Sequence, residues 1–351
     1  MKETVGLLKS LIKTPSLSGE EDKTAKIIGS YLTSRSVKFT HYDNNIISLH
    51  PGYTEGKPTV LLNSHHDTVK VSEGWTKDPF GAEVDGDILY GLGSNDAGGC
   101  LVSLIEAYIY FYEKELPFNL ILAATAEEEN FGPNGLASVL SDRLPKIDMG
   151  IIGEPTSLQC GVAEKGLMVC DGITRGKAGH AARKTGVNAI YLAMKDVQFL
   201  KDLEMDRVSP FLGPVTFQVT QIEAGYQHNV IPDSCKYVID IRINELYSNK
   251  EILELLQQYL KADITPRSMK WNSKGISMDH PLVKSSQAIG LKTFGSPTMS
   301  DQMNCDFPTI KLGPGESPRS HTPDEYIKLS EIKTGIETYI KLINQLKTMK
   351  L

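Results

Sequence analysis

Two adjacent histidines and an aspartate lie in LLNSHHDTVK (61–70), in a chain with only eight histidines. An imidazole near neutral pH is a metal ligand or a proton carrier, and His65 and Asp67 stand just past the apolar run TVLLN. Four further stretches offer groups of the same kind. YGLGSNDAGG (90–99) carries Asp96; its G-x-G-x-x opening has the form of a dinucleotide loop, but an acid stands where the third glycine should be and would repel a pyrophosphate. ATAEEEN (124–130) carries Glu127, Glu128 and Glu129. IIGEPT (151–156) carries Glu154, which Pro155 holds in extended backbone. SHTPDEY (320–326) carries His321. Each has a plain alternative when taken singly: a surface turn, a helix N-cap at Asp96, a solvated run of acids, a strand-to-loop turn, a structural histidine. Together they form an N/O donor set suited to Zn²⁺ or a similar metal, with too many acids for one zinc. Two ions sharing a carboxylate accommodate them.

Strand ends are the elements that would deliver these groups. TVLLN (59–63), FNLILAATA (118–126), MGIIG (149–153) and TIKLG (309–313) are short apolar runs bounded by turn residues. GGCLVSLIEAYIYFYEKE between the first two reads as a mostly buried helix, and Ser18 with Glu21 reads as a capping box opening a helix through DKTAKIIGSYLTSR. Apolar strands alternating with helices imply a mainly parallel sheet covered on both faces, whose ligand sites lie beyond the strands' carboxyl ends. The middle differs. Strands at 167–176, 214–225 and 235–244, helices at 188–203 and 250–262, and a last strand at SMKWN (268–272) give the order βαββαβ, a ferredoxin-like unit. The expected fold is thus α/β in two domains, with residues 1–165 and 274–351 around an inserted α+β domain of residues 166–273.

Composition narrows the function. At 351 residues the chain exceeds one usual core. A net charge of −6, with no basic stripe, argues against nucleic-acid or anionic-membrane partners. The five cysteines include no C-x-x-C pair, so a reducing cytoplasm fits. The amphipathic N-terminal stretch does not read as a signal peptide, and no run approaches the roughly 18 apolar residues of a membrane span.

The ordered series H-x-D, G-x-G-x-x-D, E-E, G-E-P-T and a late histidine resembles that of the M20 metallopeptidase and deacylase family, nearly end to end. The resemblance implies a catalytic α/β/α domain with a lid or dimerisation domain, two divalent metal ions (Zn²⁺ or Co²⁺), and amide hydrolysis. It assigns His65 and Glu154 to one ion, Glu129 and His321 to the other, and Asp96 to both. Asp67 would clamp the His65 ring and Glu128 would be the catalytic base; a cis bond is implied at Asp96–Ala97. In the inserted domain, GKAGHAA matches through His180, implied to be a catalytic residue that helps hold the oxyanion and commonly reaches into a partner subunit's site, and GYQHNVIPD matches through Asn229. Arg242, with Lys165 and Arg183, would receive a substrate carboxylate. The implied partner is a small N-acyl amino acid, foremost N²-acetyl- or N²-succinyl-L-ornithine in arginine biosynthesis, with a homodimer formed through residues 166–273. Succinyl-diaminopimelate, acetylcitrulline, acyl-lysine and di- or tripeptides stay open as substrates. So does a non-enzymatic protein binding structural metal. Two departures touch the substrate pocket: the lysine common after the bridging Asp is absent from DAGG, and the family's GGTSD segment is SPTMSD here (296–301).

Overall fold

The computed structural model describes residues 1–183 and 185–351. In chain order it carries α1 (Lys2–Ile12), α2 (Asp22–Ser34), β1 (Thr40–Tyr42), β2 (Asn45–Leu49), β3 (Thr59–His65), β4 (Val84–Asp85), β5 (Ile88–Tyr90), α3 (Gly99–Phe111), β6 (Asn119–Thr125), α4 (Leu136–Asp142), β7 (Met149–Ile152) and β8 (Cys160–Glu164). β9 (Gly166–Arg175), β10 (Gly179–His180), α5 (Ala189–Asp202), β11 (Thr216–Ala224), β12 (Val230–Ile231), β13 (Ser234–Ile243), α6 (Asn249–Tyr259), β14 (Asp263–Pro266) and β15 (Lys274–Gly275) follow. Last come α7 (Pro281–Ala288), β16 (Thr293–Ser296), β17 (Thr309–Lys311), β18 (Tyr326–Lys328) and α8 (Leu329–Leu346). One compact unit comprises Met1–Val162, Ile276–Phe294 and Ser300–Leu351; Ala163–Gly275 and Gly295–Met299 form the second.

The first unit is organised by a mainly parallel sheet in the order β1-β2-β6-β3-β7-β17-β8. β3 runs parallel to both β6 and β7, and β17 runs parallel to β7. Every residue of β3, β6, β7 and β17 is buried, as the continuous apolar runs require of strands covered on both faces. Leu61, Ile121 and Ile152 pack on one face with Leu136 and Val139 of α4. The alternate residues point the other way, towards α3, which packs in turn on α8. Because β3, β6, β7 and β17 are parallel, their carboxyl ends emerge on one edge of the sheet.

The second unit follows the order β9-α5-β11-β13-α6-β14, with an antiparallel sheet arranged β11-β13-β9-β14. That is the ferredoxin-like βαββαβ pattern. Alternation in β13 buries Tyr237, Ile239, Ile241 and Ile243 against Ile252 and Leu256 of α6. Ser248 and Glu251 form a reciprocal capping box at the start of α6.

Two local expectations are corrected. The last strand is Asp263–Pro266, not 268–272. The buried Asp196 carboxylate takes the N–H groups of Lys261 and Ala262, each at 2.9 Å, so the helix stops at Tyr259 and pairing with β9 begins earlier. Ser18 is not a helix cap either. Glu21 occupies the N-cap position of α2, and the Ser18 hydroxyl donates instead to Asp67 Oδ2 at 2.7 Å.

Candidate metal centre

Each parallel strand hands one or more polar groups to the same edge. β3 ends on His65; β6 leads through Ala126 to the three acids; β7 leads through Gly153 to Glu154; the chain after β17 reaches His321. Asp96 arrives on the turn before α3, and the Asp96–Ala97 peptide is cis. His65 Nε2 lies 3.4 Å from Asp96 Oδ1 and 3.9 Å from both Glu154 Oε1 and Glu128 Oε2. His321 Nε2 lies 3.6 Å from Asp96 Oδ2 and 2.9 Å from Glu129 Oε2. The Asp96 carboxylate therefore turns one oxygen to each imidazole.

At His65 and Glu154 the donor atoms fit a metal ion better than they fit one another. His65 Nε2 and Glu154 Oε1 are buried with no hydrogen-bond partner among the described residues, although both face this centre. Buried polar atoms seldom go unpartnered. Ligand atoms bound at about 2.1 Å around a tetrahedral ion stand roughly 3.4 Å apart, close to the His65–Asp96 separation. His65 Nδ1 is taken up by Asp67, 3.1 Å from its carbonyl oxygen and 3.3 Å from Oδ1, which leaves Nε2 facing the acids.

Burial sets the electrostatics. Burial and the nearby Asp96 push Glu154 up to about 8. Burial also raises Glu128 well above the usual carboxyl range; His65 opposes this in part, and Glu154, Asp301 and Glu129 add to it. Burial pushes Asp67 up too, but hydrogen bonds to His65, Ser18 and the Glu129 N–H win and hold it at about 2. The Glu128 and Glu129 amides both donate to Asp67, each at 3.1 Å, so this carboxylate pins the end of β6 to the end of β3.

A model of peptidase family M20/M25/M40 matches residues 61–345. The chain belongs to that family. Its acetylornithine deacetylase relative from Pectobacterium atrosepticum is 29% identical over 97% of each chain. Succinyl-diaminopimelate desuccinylase 2 of Ruegeria is 28% identical over 74% of this chain and 70% of its own. The crystal structure of aminopeptidase PepT from Bacillus cereus superposes with a TM-score of 0.78 at 20% identity, covering 98% of each chain. This M20 protein is a hydrolase of amide bonds, which retires the non-enzymatic alternative.

In the M20 hydrolase the neighbouring residues divide the work in ways their order in the chain does not announce. His66 points away from the acids; its Nδ1 meets Thr24 Oγ1 and its Nε2 the Asn44 carbonyl, both at 2.9 Å. Glu127, at φ +55°, accepts from the Asn134 backbone and side-chain amides and shapes the loop. The two histidines should thus fail differently. His65→Ala is expected to lose the ion that His65 would hold, read as metal content per chain. His66→Leu is expected to keep metal stoichiometry and lose about 1–3 kcal/mol in urea titration, because it strands a hydroxyl and a carbonyl inside the protein.

Three residues near the centre carry no signal of that role in the sequence. Ser18 has only the spacing of a helix cap. Asp301, in the SPTMSD segment, is buried beside Glu128 and accepts from the Thr125 hydroxyl at 3.0 Å. Glu325 holds the backbone of the Asp96 turn. None follows an apolar run, the signal that flags His65, Glu128, Glu129 and Glu154.

Lys165, His180, Arg183, Asn229 and Arg242 belong to the second unit. His180 and Asn229 are brought together there: β10 pairs with β12, and the Ala181 N–H donates to the Asn229 carbonyl at 3.0 Å. Asn229 Oδ1 is buried without a partner among the described residues. Exposed His180 accepts from the Ala182 N–H through Nδ1, and exposed Arg183 follows in the same short turn. Lys165 is half-buried beside Ser296, to whose carbonyl its own N–H donates. Arg242 is held bidentately by Asp240, at 2.8 and 3.1 Å.

Proposed function

We propose that the protein is a two-metal amidohydrolase that cleaves an N-acyl-L-amino acid, foremost N²-acetyl- or N²-succinyl-L-ornithine, to L-ornithine and a carboxylate. The observation that carries this reading is the Asp96 carboxylate divided between His65 and His321, beside the orphaned His65 Nε2 and Glu154 Oε1. His65, Asp96 and Glu154 would hold one ion, and Asp96, Glu129 and His321 the other. Two divalent ions held there, Zn²⁺ or Co²⁺, would supply Lewis acidity and lower the pKa of a bound water. Glu128 takes the proton of the attacking water and passes it to the leaving amine. Asp67 keeps His65 in the tautomer whose Nε2 lone pair faces the acids. His180, acting in cis or across a dimer, would help hold the developing oxyanion, and Asn229, Arg242, Lys165 and Arg183 would receive the substrate's polar and carboxylate groups.

Acylornithine is favoured by the deacetylase relative's similarity along the whole chain. Succinyl-diaminopimelate is the second reading, supported by the shorter match to the desuccinylase. The proposed assembly is a homodimer through residues 166–273, consistent with the exposed outer strand β11 and the exposed Tyr191 and Met194 on α5. The proposed location is the cytoplasm, consistent with five buried thiols; among the described residues no helix is long and apolar enough to cross a membrane. The test is a substrate panel with zinc or cobalt added. The highest kcat/KM is expected on an N²-acylornithine, with loss on chelation and recovery on adding metal back. Preference for succinyl-diaminopimelate or a dipeptide would overturn the substrate, and indifference to chelation would overturn the metals.

A further inference from the structure

The turn that delivers Asp96 takes much of its hydrogen bonding from outside itself. Between β5 and α3 the chain passes Gly91 at φ +150° and Gly93 at φ +74°, backbone that residues with a Cβ rarely adopt. A Cβ on Gly93 would lie 2.6 Å from Thr68 Cγ2. Several of the turn's amides therefore point away from any helix or strand partner and must be satisfied elsewhere. They converge on one side chain. Glu325, 1% exposed, accepts from Gly93 N at 3.2 Å through Oε2, and from Asn95 N at 2.8 Å and Asp96 N at 3.0 Å through Oε1. Its own carbonyl accepts from Gly91 N at 2.9 Å.

We propose that Glu325 is a positioning residue for the metal centre: its buried carboxylate gathers three amides of the 93–96 turn and thereby sets where the Asp96 carboxylate stands. The inference rests on reading Asp96 as the ligand shared by both ions. A carboxylate buried next to an acidic cluster is costly unless its oxygens are fully used, and here they serve as a template for backbone N–H groups. A glutamine offers one acceptor oxygen and turns an NH₂ donor towards the remaining N–H groups, so it cannot reproduce the arrangement. The adjacent Asp324 provides an internal control. Its carboxylate acts in the same way on a different loop, accepting from Thr76 N, Thr76 Oγ1 and Lys77 N at 2.9, 2.6 and 3.0 Å.

The experiment compares wild type, Glu325→Gln, Glu325→Ala and Asp324→Asn. Zinc affinity is measured by chelator competition, the Co²⁺ form by its visible absorption spectrum, and the metal-free proteins by thermal melting. Glu325→Gln is expected to fold and to bind zinc about 10- to 100-fold more weakly, as outer partners of metal ligands typically do on loss. Its cobalt spectrum should change, while Asp324→Asn keeps wild-type affinity and spectrum. A Glu325→Gln protein with wild-type affinity and spectrum overturns the proposal. So does a lower melting temperature with affinity intact, which marks a purely structural anchor, or an equal loss of affinity in Asp324→Asn. If wild type itself fails to bind two ions, the shared-ligand reading of Asp96 falls and this inference with it, an outcome recognisable without any variant.

Discussion

Glu128→Gln is expected to bind two metal ions as wild type does and to lose turnover by about 10²- to 10⁴-fold, the range ascribed to a positioned general base. Glutamine matches the shape of glutamate but cannot take a proton. The Glu128 backbone amide is pinned to Asp67, and Glu128 Oε2 sits 3.9 Å from His65 Nε2, beside the proposed metal centre. Because the change acts after substrate has bound, kcat should fall far more than KM changes. Steady-state kinetics together with metal content per chain check this. Turnover within about tenfold of wild type would remove Glu128 from the proton-transfer role.

Asp96→Ala is expected to cost more than any other ligand variant in metal terms. On the proposed ligand set, replacing Glu154 or His321 would take a donor from one ion and replacing Asp96 one from each, since Oδ1 faces His65 and Oδ2 faces His321. Affinity at both sites should fall by more than about 100-fold, beyond what the loss of an outer partner costs, and activity should disappear at micromolar metal. Atomic emission on gel-filtered protein, with chelator competition, measures it. An Asp96→Ala protein that retains two tightly held ions would show that the carboxylate is not shared.

Much of the centre was legible because of a coincidence between pattern and topology. His65, Glu128, Glu129 and Glu154 each follow an apolar run. An apolar run buried on both faces is a parallel strand, whose carboxyl end opens onto the ligand edge. The order of motifs therefore carried geometric information before any coordinates. Which of two adjacent histidines faced the centre was legible only through the resemblance to the family's H-x-D element; chain order alone treats His65 and His66 alike. In the fold they project to opposite sides, and His66 ties α2 and the loop at Asn44 to the sheet.

Where local signals misled, a long-range contact had outbid a local one. Ser18 and Glu21 have capping-box spacing, yet the Ser18 hydroxyl goes to Asp67, across 49 residues. The expected strand at 268–272 lost to Asp263–Pro266 because the Asp196 carboxylate, more than sixty residues earlier, ends the preceding helix. Asp301 and Glu325 follow no apolar strand and match no spacing rule. Their roles depend on which amides and hydroxyls the fold brings to them.

By itself, then, the sequence determined the alternation of buried strands and helices, the donor types and the order in which they arrive, because hydrophobic periodicity and residue chemistry are local properties. Tertiary structure alone decided that Asp96 faces two imidazoles, that Asp67 braces the acids as well as the ring, and that Glu325 grips the turn beneath. Those are matters of a few ångströms between residues up to about 230 positions apart, and only close packing of the whole chain sets distances on that scale.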